Sequence, residues 1–284
     1  MATVNQAKEL VKAGRTNLQN IEEFLRKSTP ELAKALPNNM NPARLNRIVL
    51  SLLRMSPKLQ DCTPVSVTAA VFQMAQLGLE PIDGQSYIIP YVNSKKDAKG
   101  NYIKVQEAQF QIGYKGYISL FYRHQSSVSI FWGVVHENDT FKFDKGQNLL
   151  SHTFNLRVDR GSPYAYWVKA RLANGAEVFE VMSKTEIEVH AKKHSKSYGT
   201  GPWQTDPDAM ALKTVLIQLM KLLPKSVEIQ RAIAMDETTK SHIEKDMSIV
   251  PDETNWNGET IEAEATVKPD EINMTTTPVN GGQK

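Results

Sequence analysis

Leu18, Ile21, Phe24 and Leu25 recur at helical spacing near the start of the chain, and the pattern predicts a helical arm over residues 4–36. Gly14 is expected to interrupt it, and Thr29-Pro30, an N-cap followed by a first-turn proline, to open a second short helix. Asn41-Pro42 predicts another helix, with Leu45, Ile48, Val49, Leu52 and Leu53 on its apolar face and Arg44, Arg47 and Arg54 on the opposite stripe. Thr63-Pro64 opens a third, with Val67, Val71, Met74 and Leu77 inward and Gly78 where a left-handed C-cap belongs.

The period then shortens to two. Residues 85–92 and 102–112 read as strands around a loop containing Lys95, Lys96, Lys99 and Gly100, and residues 128–135 and 140–144 as two more. Residues 164–173 and 176–182 flank Asn174-Gly175, the pair suited to a two-residue type I′ turn. Pairing about that turn places Tyr164, Tyr166, Val168, Ala170 and Leu172 on one face with Phe179 and Val181, and Trp167, Lys169 and Arg171 on the other, with Glu180 across from Lys169. Ser183 with Glu186 forms a capping box for a helix ending near His194. Asp206-Pro207 starts the strongest helix, with Leu212, Val215, Leu216, Leu219, Leu222 and Leu223 inward; Pro224 ends it and a short helix follows to Met235. Helices grouped at both ends of a β-rich middle predict an α+β fold, an antiparallel β-sheet core with helices packed on it. The expected organisation is a helical arm over residues 1–36 for oligomer contact, a core over 37–240, and an acidic, disordered tail over 241–284.

Charge sharpens this division. The 284-residue chain has a net charge of +3, yet residues 241–284 hold nine acids and three bases, leaving 31 bases against 22 acids in residues 1–240. A body at +9 with a tail at −6 points to a polyanionic partner that the tail avoids, or with which it competes for the body. Cys62, the one cysteine, excludes an internal disulfide and a multi-cysteine zinc site and reads as a buried filler. No basic and apolar leader opens the sequence, and no uncharged run reaches the ~18 residues of a membrane span, so a soluble protein of a reducing cytoplasm is expected.

Several chemistries lack their signatures. There is no G-x-x-x-x-G-K-[ST] phosphate loop, no H-E-x-x-H and no G-x-S-x-G. His190 and His194 have zinc-ligand spacing, but Lys192 and Lys193 between them oppose a cation, and a solvated basic face is the expectation. Nucleic-acid signals are spread along the chain. Gly113-Tyr114-Lys115-Gly116 lies between a strand and a helix, where backbone N–H groups and Lys115 can meet a phosphate and Tyr114 and Tyr117 can stack on bases. Trp167, Lys169 and Arg171 share one hairpin face, Lys213 and Lys221 lie on the long helix about 80° apart, and Lys192, Lys193, Lys196, Tyr198 and Trp203 form a basic aromatic flap.

Read in order, Gln76 to Pro81, Tyr87 to Pro90, Ile112 to Gly116, Glu180 to Met182, Gly201 to Trp203, Met210-Ala211, Lys213-Thr214, Lys221 to Pro224, Glu228 to Ala232 and Met235 to Glu237 resemble the RecT family of phage and prophage single-strand annealing recombinases. The resemblance covers about residues 35–240 and is similar in plan to the lambda phage Beta protein. It implies an ATP-independent, non-hydrolytic DNA-binding protein that coats single-stranded DNA as homo-oligomeric rings or filaments and pairs complementary strands in homologous recombination. It further implies a partner exonuclease, a host single-strand binding protein, a bacterial cytoplasm, and no cofactor beyond magnesium as a DNA counterion. A more basic long helix is familiar in the family, whereas Ile217 and Gln218 separate Lys213 from Lys221 here. Base stacking contributes ~1.4 kcal/mol per step on duplex formation, so annealing needs no hydrolysis.

The expected DNA-binding residues are Lys104, Tyr114, Lys115, Tyr117, Arg123, Lys169, Arg171, Lys192, Lys193, Lys196, Trp203, Lys213 and Lys221, converging on one basic groove. The alternative is a basic interaction or scaffold module whose DNA contact is incidental; a metal-dependent nuclease rests only on scattered acids and two histidines.

Overall fold

Thr16 starts α1 (Asn17–Ala35) with a reciprocal capping box, its hydroxyl accepting from the Gln19 N–H and its own N–H donating to the Gln19 side chain. In this computed structural model of the protein, residues 16–37, 40–96, 100–195, 198–199, 202–223, 227–236 and 240 are described; Gly14 and the tail lie outside them. The helix runs on through Pro30, which corrects the expectation of two helices. Thr29 caps nothing: its hydroxyl donates to the Leu25 carbonyl and accepts from the Asn46 carboxamide. Leu32 is buried together with Ile21 and Leu25, so apolar packing on both sides of Pro30 outweighs a lost helical hydrogen bond, a penalty of roughly 3 kcal/mol. Helix α1 packs on α2 (Pro42–Met55) and, beyond α3 (Pro57–Gln60), on α4 (Pro64–Leu77).

The caps expected from sequence are present. The Asn41 side chain accepts from the Ala43 and Arg44 N–H groups, Thr63 caps α4, and Gly78 closes α4 at φ 59°. Helix α4 is buried around almost its whole circumference and forms the axis of the N-terminal half. Cys62 is buried beside it, and burial pushes its thiol up to about 12.

Strands β1 (Ser86–Lys96) and β2 (Tyr102–Ile112) pair antiparallel from Ser86 opposite Ile112 outward. Their near ends, with Ile88, Phe110 and Ile112, are buried against α4, while Val92, Ile103 and Lys104 at the far end are exposed. After α5 (Tyr114–Arg123) come β3 (Ser127–His136), β4 (Thr140–Asp144), β5 (Leu149–Thr153), β6 (Pro163–Leu172) and β7 (Glu177–Ser183). The strands form three antiparallel sheets, β1-β2, β3-β6-β7 and β4-β5, rather than one. Strand β5 has no counterpart in the sequence reading. Helices α6 (Lys184–His194), opened by the Ser183/Glu186 capping box, α7 (Pro202–Thr205), α8 (Pro207–Leu222) and α9 (Val227–Met235) complete the α+β fold. Helix α8 covers the three-stranded sheet, and α9 returns to α4, α5 and β2, so both halves share one core. No helix among the described residues is long and apolar enough to cross a membrane.

The β6-β7 register differs from expectation by one residue. Leu172 N–H donates to the Ala176 carbonyl and Gly175 takes φ 82°, so the loop has three residues, Ala173 to Gly175, with glycine in the left-handed position. A one-residue shift moves a strand's side chains to the other face. Phe179 and Val181 therefore stand opposite Lys169 and Trp167, and Glu180 opposite Val168.

One buried cluster holds β4-β5 to the larger sheet. Asp139 accepts from Arg160 Nε and Nη2 (2.9 and 2.6 Å), His152 Nε2 (2.9 Å) and the His136 N–H (2.8 Å). Trp167 Nε1 can only donate, so its 3.0 Å bond to His152 Nδ1 puts the imidazole proton on Nε2, toward Asp139. Gly133 makes room for that indole; a Cβ there lies 2.6 Å from Trp167 Nε1. The Arg160 guanidinium, then the His136 N–H and His152, hold the Asp139 carboxyl well below the usual carboxylate range against the opposing effect of burial.

Gly133→Ala lowers unfolding free energy by about 1–3 kcal/mol in a urea titration, because the indole must move. The contribution of Asp139 is complete above about pH 4, the unfolded carboxylate value, and fades as pH falls toward its depressed folded value. Asp139→Asn is therefore less stable at pH 7 and loses less further stability below pH 4 than wild type, as followed by tryptophan fluorescence; equal acid slopes contradict this.

Candidate nucleic-acid interface

The junction between β2 and α5 is a close approach of two backbones. Any Cβ on Gly113 collides with the Gly84 carbonyl, and one on Gly116 with the Gln85 carbonyl, while the Gly113 N–H is used by Gln85 O at 2.9 Å. Both glycines thus serve close packing against the 83–85 turn. Tyr114 and Lys115 begin α5 at this surface. Lys115 Nζ lies 2.7 Å from Asp83 Oδ1, a residue at φ 50° with its carboxylate 74% exposed, and that hydrogen bond raises the Lys115 pKa.

One turn on, Tyr117 is buried, and its hydroxyl donates to Asp236 Oδ2 at 2.8 Å. Asp236 also accepts from the Ile112 N–H at 2.6 Å and sits 3.8 Å from Lys213 Nζ. This corrects two expectations. Tyr117 offers no ring face to a base, and Lys213 points into the core, held where an unpaired carboxylate would otherwise be buried. The expected pairing of Lys213 and Lys221 along one groove wall fails for the same reason. Arg123 is likewise engaged, donating to the carbonyls of Leu77 (2.5 Å) and Gly78 (2.7 Å) at the C-terminal end of α4. Trp203 is buried against Tyr198, not a mobile stacking ring.

The remaining cations fall into separate groups. Lys169 and Arg171 share one carboxylate, Glu177, at 2.6 and 2.9 Å, rather than the expected Glu180, which pairs with Lys145. Both hold the Glu177 carboxyl below its usual value, Lys169 first. At the ends of α6 and α8, Lys193 and Lys221 crowd His190 and His194. Burial first, then His194, Lys221 and Lys193, hold the His190 imidazole below its ordinary pKa; its Nε2 accepts from the Gln218 carboxamide, whose oxygen accepts from Lys221. The two imidazole rings are tilted 42° to one another with centroids 4.6 Å apart. Lys192 is exposed, its ammonium 5.7 Å from the Tyr198 ring centre. Lys104 is exposed at the far end of the β1-β2 hairpin, opposite Ser94, and Lys196 lies outside the described residues. The twelve expected residues that are described therefore do not gather into a single cluster.

Beside Lys115 the structure opens a groove that the sequence did not announce. Tyr114, Ile118, Trp132, Val168, Ala209, Leu212 and Leu216 line it together with Asp206, and it holds about 240 Å³. Asp83, Glu177, Asp236 and Trp132 were all missed by sequence reasoning. The only hint was that Asp236 falls in the Met235 to Glu237 motif.

The sequence model of the RecT family matches residues 43–251. The chain is 39% identical over 211 residues to the protein RecT of Escherichia coli (strain K12), covering 73% of this chain and 76% of that protein. It is 35% identical over 201 residues to the uncharacterized protein YqaK of Bacillus subtilis (strain 168), covering 69% of this chain and 64% of the relative.

The Asp236 geometry has a direct test. Tyr117→Phe removes a hydrogen bond to a charged group and costs about 1.5–3 kcal/mol in chemical denaturation. Lys213→Met lowers the melting temperature as well, an effect that a solvent-facing lysine does not produce; an unchanged melting temperature places Lys213 at the surface instead.

Proposed function

Since the chain belongs to the RecT family of DNA recombination and annealing proteins, we propose that it anneals complementary single DNA strands without nucleotide hydrolysis, working as a homo-oligomer that holds each strand by its phosphates. The observation that carries this reading is the family match over residues 43–251, a span that includes every expected DNA-binding residue. In this reading Lys104, Lys115, Lys169, Arg171, Lys192, Lys193 and Lys221 supply the positive charge, since Tyr117, Arg123, Trp203 and Lys213 are committed to the fold. Lys115, Lys169 and Arg171 release Asp83 and Glu177 when phosphates arrive. An exposed ion pair such as Lys115–Asp83 is worth only about 0–1 kcal/mol, so that exchange carries a small penalty, while the half-buried Lys169–Glu177 pair costs more to part. Magnesium serves only as a counterion. The protein acts in the cytoplasm of a bacterial cell with a partner exonuclease and a host single-strand binding protein.

Mixing the full-length protein with two complementary oligonucleotides and no nucleotide accelerates duplex formation, read by fluorescence energy transfer. Affinity for single strands falls with salt. Lys115→Gln combined with Lys221→Gln weakens binding uniformly across sequences and lowers the slope of log affinity against log salt by about 0.7 for each phosphate no longer neutralised. Unchanged slope and annealing in that double variant remove both lysines from the site; absence of annealing by the wild-type protein removes the function.

A further inference from the structure

Trp132 and Tyr114 are 48% and 38% exposed, although both line a groove with aliphatic side chains. Strand register explains the opening. Trp132 pairs with Val168, and Val168 is buried beneath α8, so the indole stands on the helix-covered face just beyond the edge of that cover. The outcome is a cleft lined by two aromatic side chains and by aliphatic ones, among them Ile118, Val168, Leu212 and Leu216. Its lining carries one hydrogen-bond acceptor: Asp206 uses Oδ1 to cap the Ala209 N–H, and its second carboxylate oxygen has no hydrogen bond among the described residues. Next to Tyr114 in sequence is a cation, Lys115.

Two aromatic rings, aliphatic side chains, a carboxylate and a lysine next in sequence to one of the rings suit a planar heterocycle with N–H donors on its edge and a phosphate attached to it. An aliphatic side chain from a protein partner has no use for the acceptor or for the cation. We infer that the groove takes a single unstacked nucleobase of the bound strand, sandwiched by Trp132 and Tyr114, while Lys115 leaves Asp83 for the phosphate of the same nucleotide. This rests on the single-strand-binding reading above and goes beyond it, because it makes one nucleotide per site unavailable for pairing while its neighbours stay free. The volume of about 240 Å³ is below the roughly 300–1,000 Å³ of drug-sized sites, in keeping with one base. Asp206 further favours bases with an exocyclic amino group, cytosine over thymine.

The test compares three single strands of equal length, oligo-dC, oligo-dT and an abasic strand with the same phosphates, binding to the full chain by fluorescence anisotropy. The wild type binds oligo-dC about tenfold more tightly than the abasic strand. Trp132→Ala, which removes an aromatic ring, and Ala209→Trp, which fills the groove, bind oligo-dC about as weakly as the abasic strand, with salt slopes unchanged. Asp206→Ser keeps the helix cap but loses the preference for dC over dT. Equal wild-type affinity for base-bearing and abasic strands overturns the inference without any variant having to fold, and leaves phosphate binding intact. Variants that keep the base preference overturn it as well. If they instead alter sedimentation, a second copy of the chain occupies the groove and the inference falls. No binding of any strand by the wild type rejects the underlying function along with it.

Discussion

A carboxylate buried between both halves of the molecule must be supplied with donors, and the way Asp236 obtains them organises the region around the groove. Its two oxygens take the Ile112 N–H at the end of β2 and the Tyr117 hydroxyl on α5, and Lys213 of α8 lies alongside. Just before it, the Met235 carbonyl accepts from Gln73 on α4. Four elements, α4, β2, α5 and α8, are thus joined at one point that also terminates α9. Leaving any donor or the charge itself unpaired in that setting costs more than the net worth of a single bond, so these groups move together or not at all. The start of α5, and with it Tyr114 and Lys115, inherits its position from this arrangement.

The same logic separates two kinds of cation. Lys213 and Arg123 are bound to groups with no access to solvent or to a helix end, and exchanging those partners for a phosphate means unmaking part of the core. Lys115, Lys169 and Arg171 are bound to carboxylates at the surface, Asp83 and Glu177. Swapping one anion for another there changes the Coulomb energy little, while each side chain has already given up part of its rotamer freedom. On the proposed reading this yields a grip that is preordered yet readily released, as annealing requires of strands that must shift register before they pair.

Features set by local rules were legible in the sequence. Asn41, Thr63, Ser183 with Glu186, and Asp206 cap the helices expected of them, and Gly78 adopts its left-handed cap. What escaped depended on contacts distant along the chain. Helical periodicity places Lys213 on a polar edge, because nothing near it in sequence discloses that Asp236 waits on another element. Gly113 and Gly116 look like a phosphate loop until the 83–85 turn is seen lying against them. Pro30 reads as a helix start by its own chemistry and is overruled by the burial of Leu32 together with Leu25. The Tyr114 and Trp132 groove joins residues from α5, β3, β6 and α8, none of which carries a motif for it.

The β6-β7 loop shows how a local ambiguity propagates into the chemistry of the surface. Asn174-Gly175 fits a two-residue turn, but here the Asn174 side chain instead accepts from the Ala176 N–H, and the Ala173 N–H reaches the Ser126 carbonyl at the start of β3. That third strand adds a constraint invisible to any hairpin taken alone, and it selects the three-residue loop. With the two-residue alternative, Glu177 faces Leu172 across the strands and Glu180 faces Lys169, leaving Arg171 opposite Val178 without a carboxylate. In the observed register Glu177 stands opposite Arg171 and diagonal to Lys169, so one acid serves both cations. The electrostatic character of this face therefore depends on the register of the hairpin as well as on the lysine and arginine that the sequence displays.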